Sequence, residues 1–486
     1  METIIGEAAR QAGRSLAVVN PATKEIIDTV SLASEEDVDD AIRLAQEGRM
    51  AWGKMPSAAR YETLRRFSDA VSDQREPLAR LLCQETGKPL EQAGWEIDTA
   101  IRLFIGYAER AKFTHGEAIP LDNQRGLEGD LLFTIREPLG VVAAITPFNF
   151  PIDLFAHKVA PALAAGNSVI VKPDPRTPLT TALMVRLLIE AGVPGTAVQC
   201  VHGGAEIGRI LATAPGIDAI SLTGSAGAGR EVASIGGRAL KRVFLELSGN
   251  DPLLVYPDAD VKAAVDAVVF GRLLANGQTC CATKRIMVHD SLADAFVSAL
   301  QVELEQVRIG DPMKPEINLG PLIDGQAAAR LQVQVQSLLA QGAEAVVPGE
   351  RYDDSFFSPA LLVNMPMDSE AVATEETFGP VFVVQRFQTD TEAIAAANRS
   401  PYALNAAVFT SDIERAFRLA DQIDAGSVMI NATTLYRPDV MAFGGYKQSG
   451  FGREGLLYTL EEMTRVKSIV VHGALASRRR SAVLGL

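Results

Sequence analysis

Two cysteines stand side by side in "GQTCCA", Cys280 and Cys281, in a chain that has only four. A free thiol is only a few per cent ionised at neutral pH, so a nucleophilic cysteine needs a base or a positive neighbour. The commoner fate of a cysteine is an inert buried side chain. Consecutive side chains on an extended or turning backbone point apart, so at most one of the two can face a given cleft. A protease-like histidine partner is not indicated, since His115, His157, His202, His289 and His472 lie in no such context. Cys83 and Cys200 add no metal-ligand or redox spacing.

Three other stretches carry groups that could act with a thiol. "TPFNFP" places Asn149 in a proline-bounded turn after an apolar run. Its amide could donate to a developing oxyanion, or it could simply cap the helix that follows. "LELSGNDP" carries Glu246 among apolar residues, where burial raises a carboxylate's pKa towards that of a general base at neutral pH. "LTGSAGAG" is a strand running into a Gly-rich turn and a helix, able to present backbone N–H groups to phosphate, though it is not GxGxxG. Glu246 follows that turn at about twenty residues, the spacing of a ribose-binding acid. Spacing alone leaves base and ribose ligand both open.

The elements that must hold these groups follow from periodicity. "GVVAAIT", "NSVIVKP", "AVQCVHG" and "IDAISLTG" are short β-branched runs separated by helix-like segments, the rhythm of a parallel sheet covered on both faces. Residues 35–112 read as mainly helical, with Ser34 a candidate N-cap. After Asn250 a second alternation begins with "DPLLVY", "CATKRIMVHD", "AEAVVPG", "NAAVFTSD" and "AGSVMIN". The expected fold class is α/β: two Rossmann-like parallel-sheet domains and a small β arm. The cofactor-type domain is placed at 1–120 and 139–249, and the catalytic domain at 250–448. The arm takes 121–138 and 449–486. Residues 130–138 and 464–473 alternate like exposed strands, whose edges need covering, often by another subunit.

At 486 residues, two or three domains are expected. A net charge of −14 argues against a nucleic-acid partner. The one basic run, Arg478 to Arg480, reads as a solvated tail. Neither a secretory signal nor a bilayer-length apolar run is visible, and together with the free cysteines this points to a cytoplasmic location.

"TPFNFP", "VKPDPRTP", "LTGSAGAG", "LELSGNDP", "GQTCCA", "EETFGPV" and "FGGYKQSGFGREG" occur in the order and at the separations of the aldehyde dehydrogenase superfamily. The resemblance runs from about residue 10 to about residue 473. It implies that Cys280 is the nucleophile, Asn149 the oxyanion donor, Glu246 the general base and Lys158 the lysine of the following helix. Cys281 is then a small packing residue. Ser248 stands where the family motif has its first Gly. The implied cofactor is NADP or NAD, held by Lys172, by Gly224 and Ser225 at the pyrophosphate, and by Glu376 and Phe378 at the nicotinamide end. Thr146, Pro147 and Phe148 line its path. Pro175 replaces a glutamate common in NAD-preferring members, so nothing there repels a 2′-phosphate.

The resemblance further implies a small-molecule aldehyde as substrate, oxidised to its carboxylic acid, and a homodimer or homotetramer. His157, Arg437, Phe150, Phe443 and Arg102 fall at positions facing the substrate. The polar ones suggest a small hydroxylated or anionic aldehyde, as in lactaldehyde or semialdehyde dehydrogenases, or one bearing phosphonate, sulfonate or phosphate. Arg437 and Arg102 could equally be structural ion-pair partners. Two other classes predict different residues. A non-enzymatic structural relative should have lost Cys280, Glu246 or Asn149, and an acyl transferase to coenzyme A should lack Glu246.

Overall fold

Apolar runs without polar alternation can be strands only if both faces of the sheet are covered. The computed structural model describes residues 1–10 and 13–475 and contains two such sheets. Arg478 to Arg480 fall outside the described residues. In the first sheet, Val198–Cys200, Ser168–Lys172, Val141–Ile145, Ala219–Thr223 and Arg242–Glu246 lie side by side and parallel. Alternate residues of Val141–Ile145 serve opposite faces. Val142 and Ala144 pack with the helical cluster around Trp52, Phe67, Phe104 and Phe155, whereas Val141, Ala143 and Ile145 pack with Ile42, Leu211 and Leu222. The helices of residues 35–111 supply much of this cover. Ser34 does cap the helix Glu35–Trp52, in a reciprocal capping box with Asp37.

Strand order departs from sequence order between Val141–Ile145 and Ala219–Thr223. Successive crossovers run one way from the first of these strands and the other way from the second. Their C-terminal ends therefore diverge and leave a crevice, the usual ligand position in an open α/β sheet.

Ser248, Gly249 and Asn250 carry the chain from the first sheet into the second, which starts at Asp251–Val255. The second sheet has seven strands, parallel except for Glu344–Pro348 at one edge. The remaining three-stranded sheet is the arm. Its two main strands were expected to be covered by other subunits, but they first cover one another. Leu131–Pro138 and Thr464–Val471 pair antiparallel through eight positions, and Ala118–Ile119 adds to the other side. Gly450–Phe451 pairs with Leu245 and Glu246. The expected arm segment from 449 thus begins as an edge of the first sheet.

Candidate active site

The crevice is a cleft of about 410 Å³. Ile145 to Asn149 and Leu222 to Ser225 line one side, directly after the diverging strands, and Cys280, Glu376 and Phe378 line the other. Each sheet therefore contributes one wall.

The turn that delivers Cys280 is built by its own sequence. Ala275, Asn276 and Gly277 all have positive φ, of 50°, 58° and 77°. Asn276 tolerates this because its amide is fully used: it donates to the Gly87 and Pro321 carbonyls and accepts from Gly320 N–H. Gln278 accepts from Ile323 N–H, and the Thr279 hydroxyl donates to the Leu274 carbonyl. Lys284 donates to the carbonyls of Gly249 and Cys280. Cys280 is left partly accessible, and Cys281 is buried against Leu404 and Phe443. Of the two, only Cys280 lines the cleft.

Asn149 could have been a helix cap, but it is not one. The N-terminus of the helix Pro151–Ala165 is satisfied by Glu96, whose carboxylate accepts from Ile152 N–H at 2.7 Å and Asp153 N–H at 3.1 Å. Glu96 is itself buried against Lys88, which also donates to the Asn149 carbonyl at 2.6 Å. With the cap supplied from elsewhere, the Asn149 amide turns across the cleft and donates to the Gln278 carbonyl at 2.8 Å. Asn149 and Cys280 line the same cleft. The Cys280 N–H has no hydrogen-bond partner among the described residues, so two donors border the same thiol.

Glu246 ends the strand Arg242–Glu246 and lines the same cleft as Cys280, close enough for each to shift the other's ionisation. Burial raises its pKa well above the ordinary carboxylate value, and the neighbouring Cys280 and Glu454 add to this. The Cys280 thiol is raised as well, first by the adjacent Cys281 sulfur and then by burial, while Lys284 works in the opposite direction. Neither Glu246 oxygen has a hydrogen-bond partner among the fixed protein groups. Such a carboxylate is poised to take a proton and is not part of a structural network.

Behind Glu246 lies a cavity of about 20 Å³, roughly one water molecule. Lys158 and Glu454 border it, paired at 3.1 Å. Glu454 is the residue that sequence reasoning missed. It lies in "FGREG", a motif valued for its glycines, where nothing marks the carboxylate as buried.

On the cofactor-like side, Thr146, Pro147, Phe148, Lys172, Gly224, Ser225, Glu376 and Phe378 all reach the cleft. Ser225 caps the helix Ala226–Arg238, accepting from Ala228 N–H, so the positive end of that helix points at the cleft. Lys172 donates to the Pro173 and Gly203 carbonyls. Glu376 is held by Lys284 at 2.8 Å, and the Phe148 and Phe378 rings meet edge to face at 6.0 Å. Pro175 is the exception, for its neighbours Asp174 and Arg176 line the cleft in its place. Both Asp174 oxygens accept from the Arg176 guanidinium at 2.9 Å, and that guanidinium lies 4.2 Å over the Phe148 ring.

The expected substrate residues fare less evenly. Arg437 is not a free clamp: its Nη2 donates to Glu454 at 2.8 Å, its Nη1 lies 3.7 Å from Asp153, and its plane covers Phe443 at 3.9 Å. His157 is buried, touches the Tyr107 hydroxyl at 3.4 Å, and is pushed down to about 4, first by burial and then by Arg437. It is neutral at physiological pH and gains no charge on mild acidification. Arg102 is exposed and paired with Asp439 at 3.2 Å. Phe443 is fully buried as backing for Arg437, and Phe150 keeps partial access with Lys88 4.0 Å over its ring.

A thiol and a carboxylate facing one another, with amide donors beside them at the mouth of a dinucleotide-sized crevice, define an enzyme working on a carbonyl through a covalent thiol intermediate. The profile of the aldehyde dehydrogenase family matches residues 8–469, and the chain belongs to that family. It is 37% identical to a glutarate-semialdehyde dehydrogenase of Pseudomonas putida, over 94% of this chain and 95% of that one. It is 34% identical to a lactaldehyde dehydrogenase of Methanococcus vannielii, over 94% and 97%. Among solved structures, an NADP-dependent enzyme of E. coli superposes with a TM-score of 0.94 at 34% identity, over 97% and 98% of the two chains. A betaine aldehyde dehydrogenase of Staphylococcus aureus, in complex with NAD+, gives 0.92 at 32%, over 97% of each.

Proposed function

We propose that this aldehyde dehydrogenase oxidises a small polar aldehyde to the free carboxylic acid, with Cys280 as nucleophile, Asn149 as oxyanion donor and Glu246 as general base. The observation that carries this is Glu246 facing Cys280 with both carboxylate oxygens unpartnered. Glu246 takes the thiol proton and the Cys280 sulfur bonds to the aldehyde carbon. The amides of Asn149 and Cys280 hold the oxyanion. Glu246 then activates the water that cleaves the Cys280 thioester. Lys158, paired with Glu454 across the small cavity, positions Glu246 electrostatically. No acyl acceptor such as coenzyme A is required.

The cleft suits a nicotinamide dinucleotide, which when bound supplies the hydride acceptor for this oxidation. Gly224 and Ser225 at the helix N-terminus would hold the pyrophosphate. Lys172 would hold the adenosine ribose, and Glu376 with Phe378 the nicotinamide end. Asp174 cannot serve freely as a ribose acceptor, because Arg176 occupies both its oxygens. A 2′-phosphate is therefore tolerated, and NADP is accepted alongside NAD.

The relatives' names span semialdehydes and lactaldehyde. With Arg437 matched by two carboxylates, a hydroxylated substrate is favoured over a simple anion. Assembly as a homodimer or homotetramer would use the outer edge of Thr464–Val471, and light scattering on the intact chain tests it. Among the described residues no helix is long and apolar enough to cross a membrane. The functional test is a panel of hydroxylated, anionic and unsubstituted aldehydes, each with NAD and with NADP, following reduced cofactor and acid together. Formation of reduced cofactor only when coenzyme A is added would refute hydrolysis.

A further inference from the structure

The helix Pro151–Ala165 is buried at every position from Pro151 to Ala164 except one, Asp153. This side chain keeps 15% of its exposure. It lies in the first turn of the helix, four residues after Asn149 in the sequence. Asp153 is not among the residues lining the cofactor-sized cleft.

Its carboxylate is unusually free for a half-buried group. The Arg437 Nη1 at 3.7 Å and the neutral His157 Nε2 at 3.8 Å are its nearest nitrogen partners, and both lie beyond hydrogen-bond reach. Among the described residues no donor bonds to its oxygens. Arg437, by contrast, is committed to Glu454 and to the Phe443 ring. Phe443 packs with Cys281 and Leu404, and Cys280 packs against the same cluster. Contacts run from Cys280 through Phe443 and Arg437 to Asp153, so two side chains separate this acceptor from the nucleophile.

Building on the dehydrogenase function proposed above, we propose that Asp153 selects the substrate. Its carboxylate accepts a hydrogen bond from a hydroxyl or ammonium group that the aldehyde carries a few bonds from its carbonyl carbon. Arg437 braces Asp153 and does not clamp an anion. A plain carboxylate at that distance meets Asp153 before it can reach Arg437, and is disfavoured.

The test compares wild type, Asp153→Asn and Asp153→Leu on four aldehydes of matched length, one each unsubstituted, hydroxylated, ammonium-bearing and carboxylate-bearing. Wild type should prefer the hydroxylated and ammonium forms. Asp153→Asn should lower kcat/KM for the ammonium form by about ten- to hundredfold and for the hydroxylated form by less, because an amide oxygen still accepts. Asp153→Leu should lower both. The carboxylate form should improve in both variants as Arg437 loses its brace. The unsubstituted aldehyde should stay within about threefold throughout, which also reports that the variants fold. Equal losses on all four aldehydes, or a wild type that prefers the carboxylate form, overturn the assignment of Asp153. A wild type that oxidises none of the four, the unsubstituted included, overturns the dehydrogenase function on which it rests.

Discussion

Gly277 decides where the nucleophile sits. It has a φ of +77°, and a Cβ built there would lie 2.3 Å from the Gly379 carbonyl carbon and 2.5 Å from its oxygen. Non-bonded carbon contacts begin near ~3.5 Å, so Gly277→Ala must separate two backbone segments by about 1 Å. Both partners are backbone, so no side-chain rotamer relieves the clash. The positive φ adds roughly 1–2 kcal/mol of its own. On the N-terminal side Asn276 is anchored by three hydrogen bonds, so the displacement passes towards Cys280, three residues on. A misplacement of about 1 Å at a reacting group costs on the order of a hundredfold in rate. Gly277→Ala should therefore lower kcat/KM by about that factor. The pyrophosphate end of the cofactor site should change little, because its strands belong to the other sheet, whereas the nicotinamide end shares the shift, since Gly379 directly follows Phe378. Steady-state kinetics and a fluorescence titration with NADP separate the two effects. Gly342→Ala serves as a control for backbone strain alone, since Gly342 has φ +104° but nothing within 4 Å of the added carbon. A folded Gly277→Ala with kinetics like those of wild type would refute the steric argument.

Cys280→Ala should abolish dehydrogenase activity while Cys281→Ala keeps most of it, as steady-state rates of the purified variants will report. Glu246→Gln should slow turnover by about 10²–10⁴-fold with cofactor affinity nearly unchanged; the reverse pattern in a binding titration would make Glu246 a ribose ligand instead. Glu454→Gln should destabilise the protein by about 3–5 kcal/mol, because Lys158 loses its only carboxylate partner among the described residues. Burial works against ionisation of Glu454, yet Lys158 and Arg437 hold its carboxyl down to about 2. Its contribution is complete above the ordinary 4.5 and fades as pH falls towards 2, so thermal melts of Glu454→Gln should lack that part of the acid sensitivity.

The groups proposed as catalytic were legible because each is bound to a local backbone need. Gly277 and Asn276 require a left-handed turn, Asn149 sits in a proline-bounded turn, and Glu246 ends an apolar strand. Short β-branched runs fixed the strands of both sheets for the same local reason. What stayed illegible is pairing across sequence distance. Arg437 advertises a positive charge, but its neutralisation by Asp153 and Glu454 depends on a helix and a loop that meet only in the fold. The two arm strands looked like edges awaiting another chain because each amphipathic pattern announces an open side without naming its cover. They lie more than 300 residues apart and cover one another.

The same distance between sequence and space explains why the site is split over two sheets. Asn149 belongs to the first and Cys280 to the second, and the bond from the Asn149 amide to the Gln278 carbonyl ties the oxyanion donor to the turn that carries the thiol. Lys284 repeats the device, joining the Cys280 and Gly249 carbonyls to the Glu376 carboxylate. Gly249 lies in the crossing segment, three residues after Glu246. The thiol, its base and one wall of the cofactor cleft are thus fixed relative to one another by a single buried ammonium. The base role proposed for Glu246 needs a constant distance to the thiol, and these two cross-links fix the thiol's side of it.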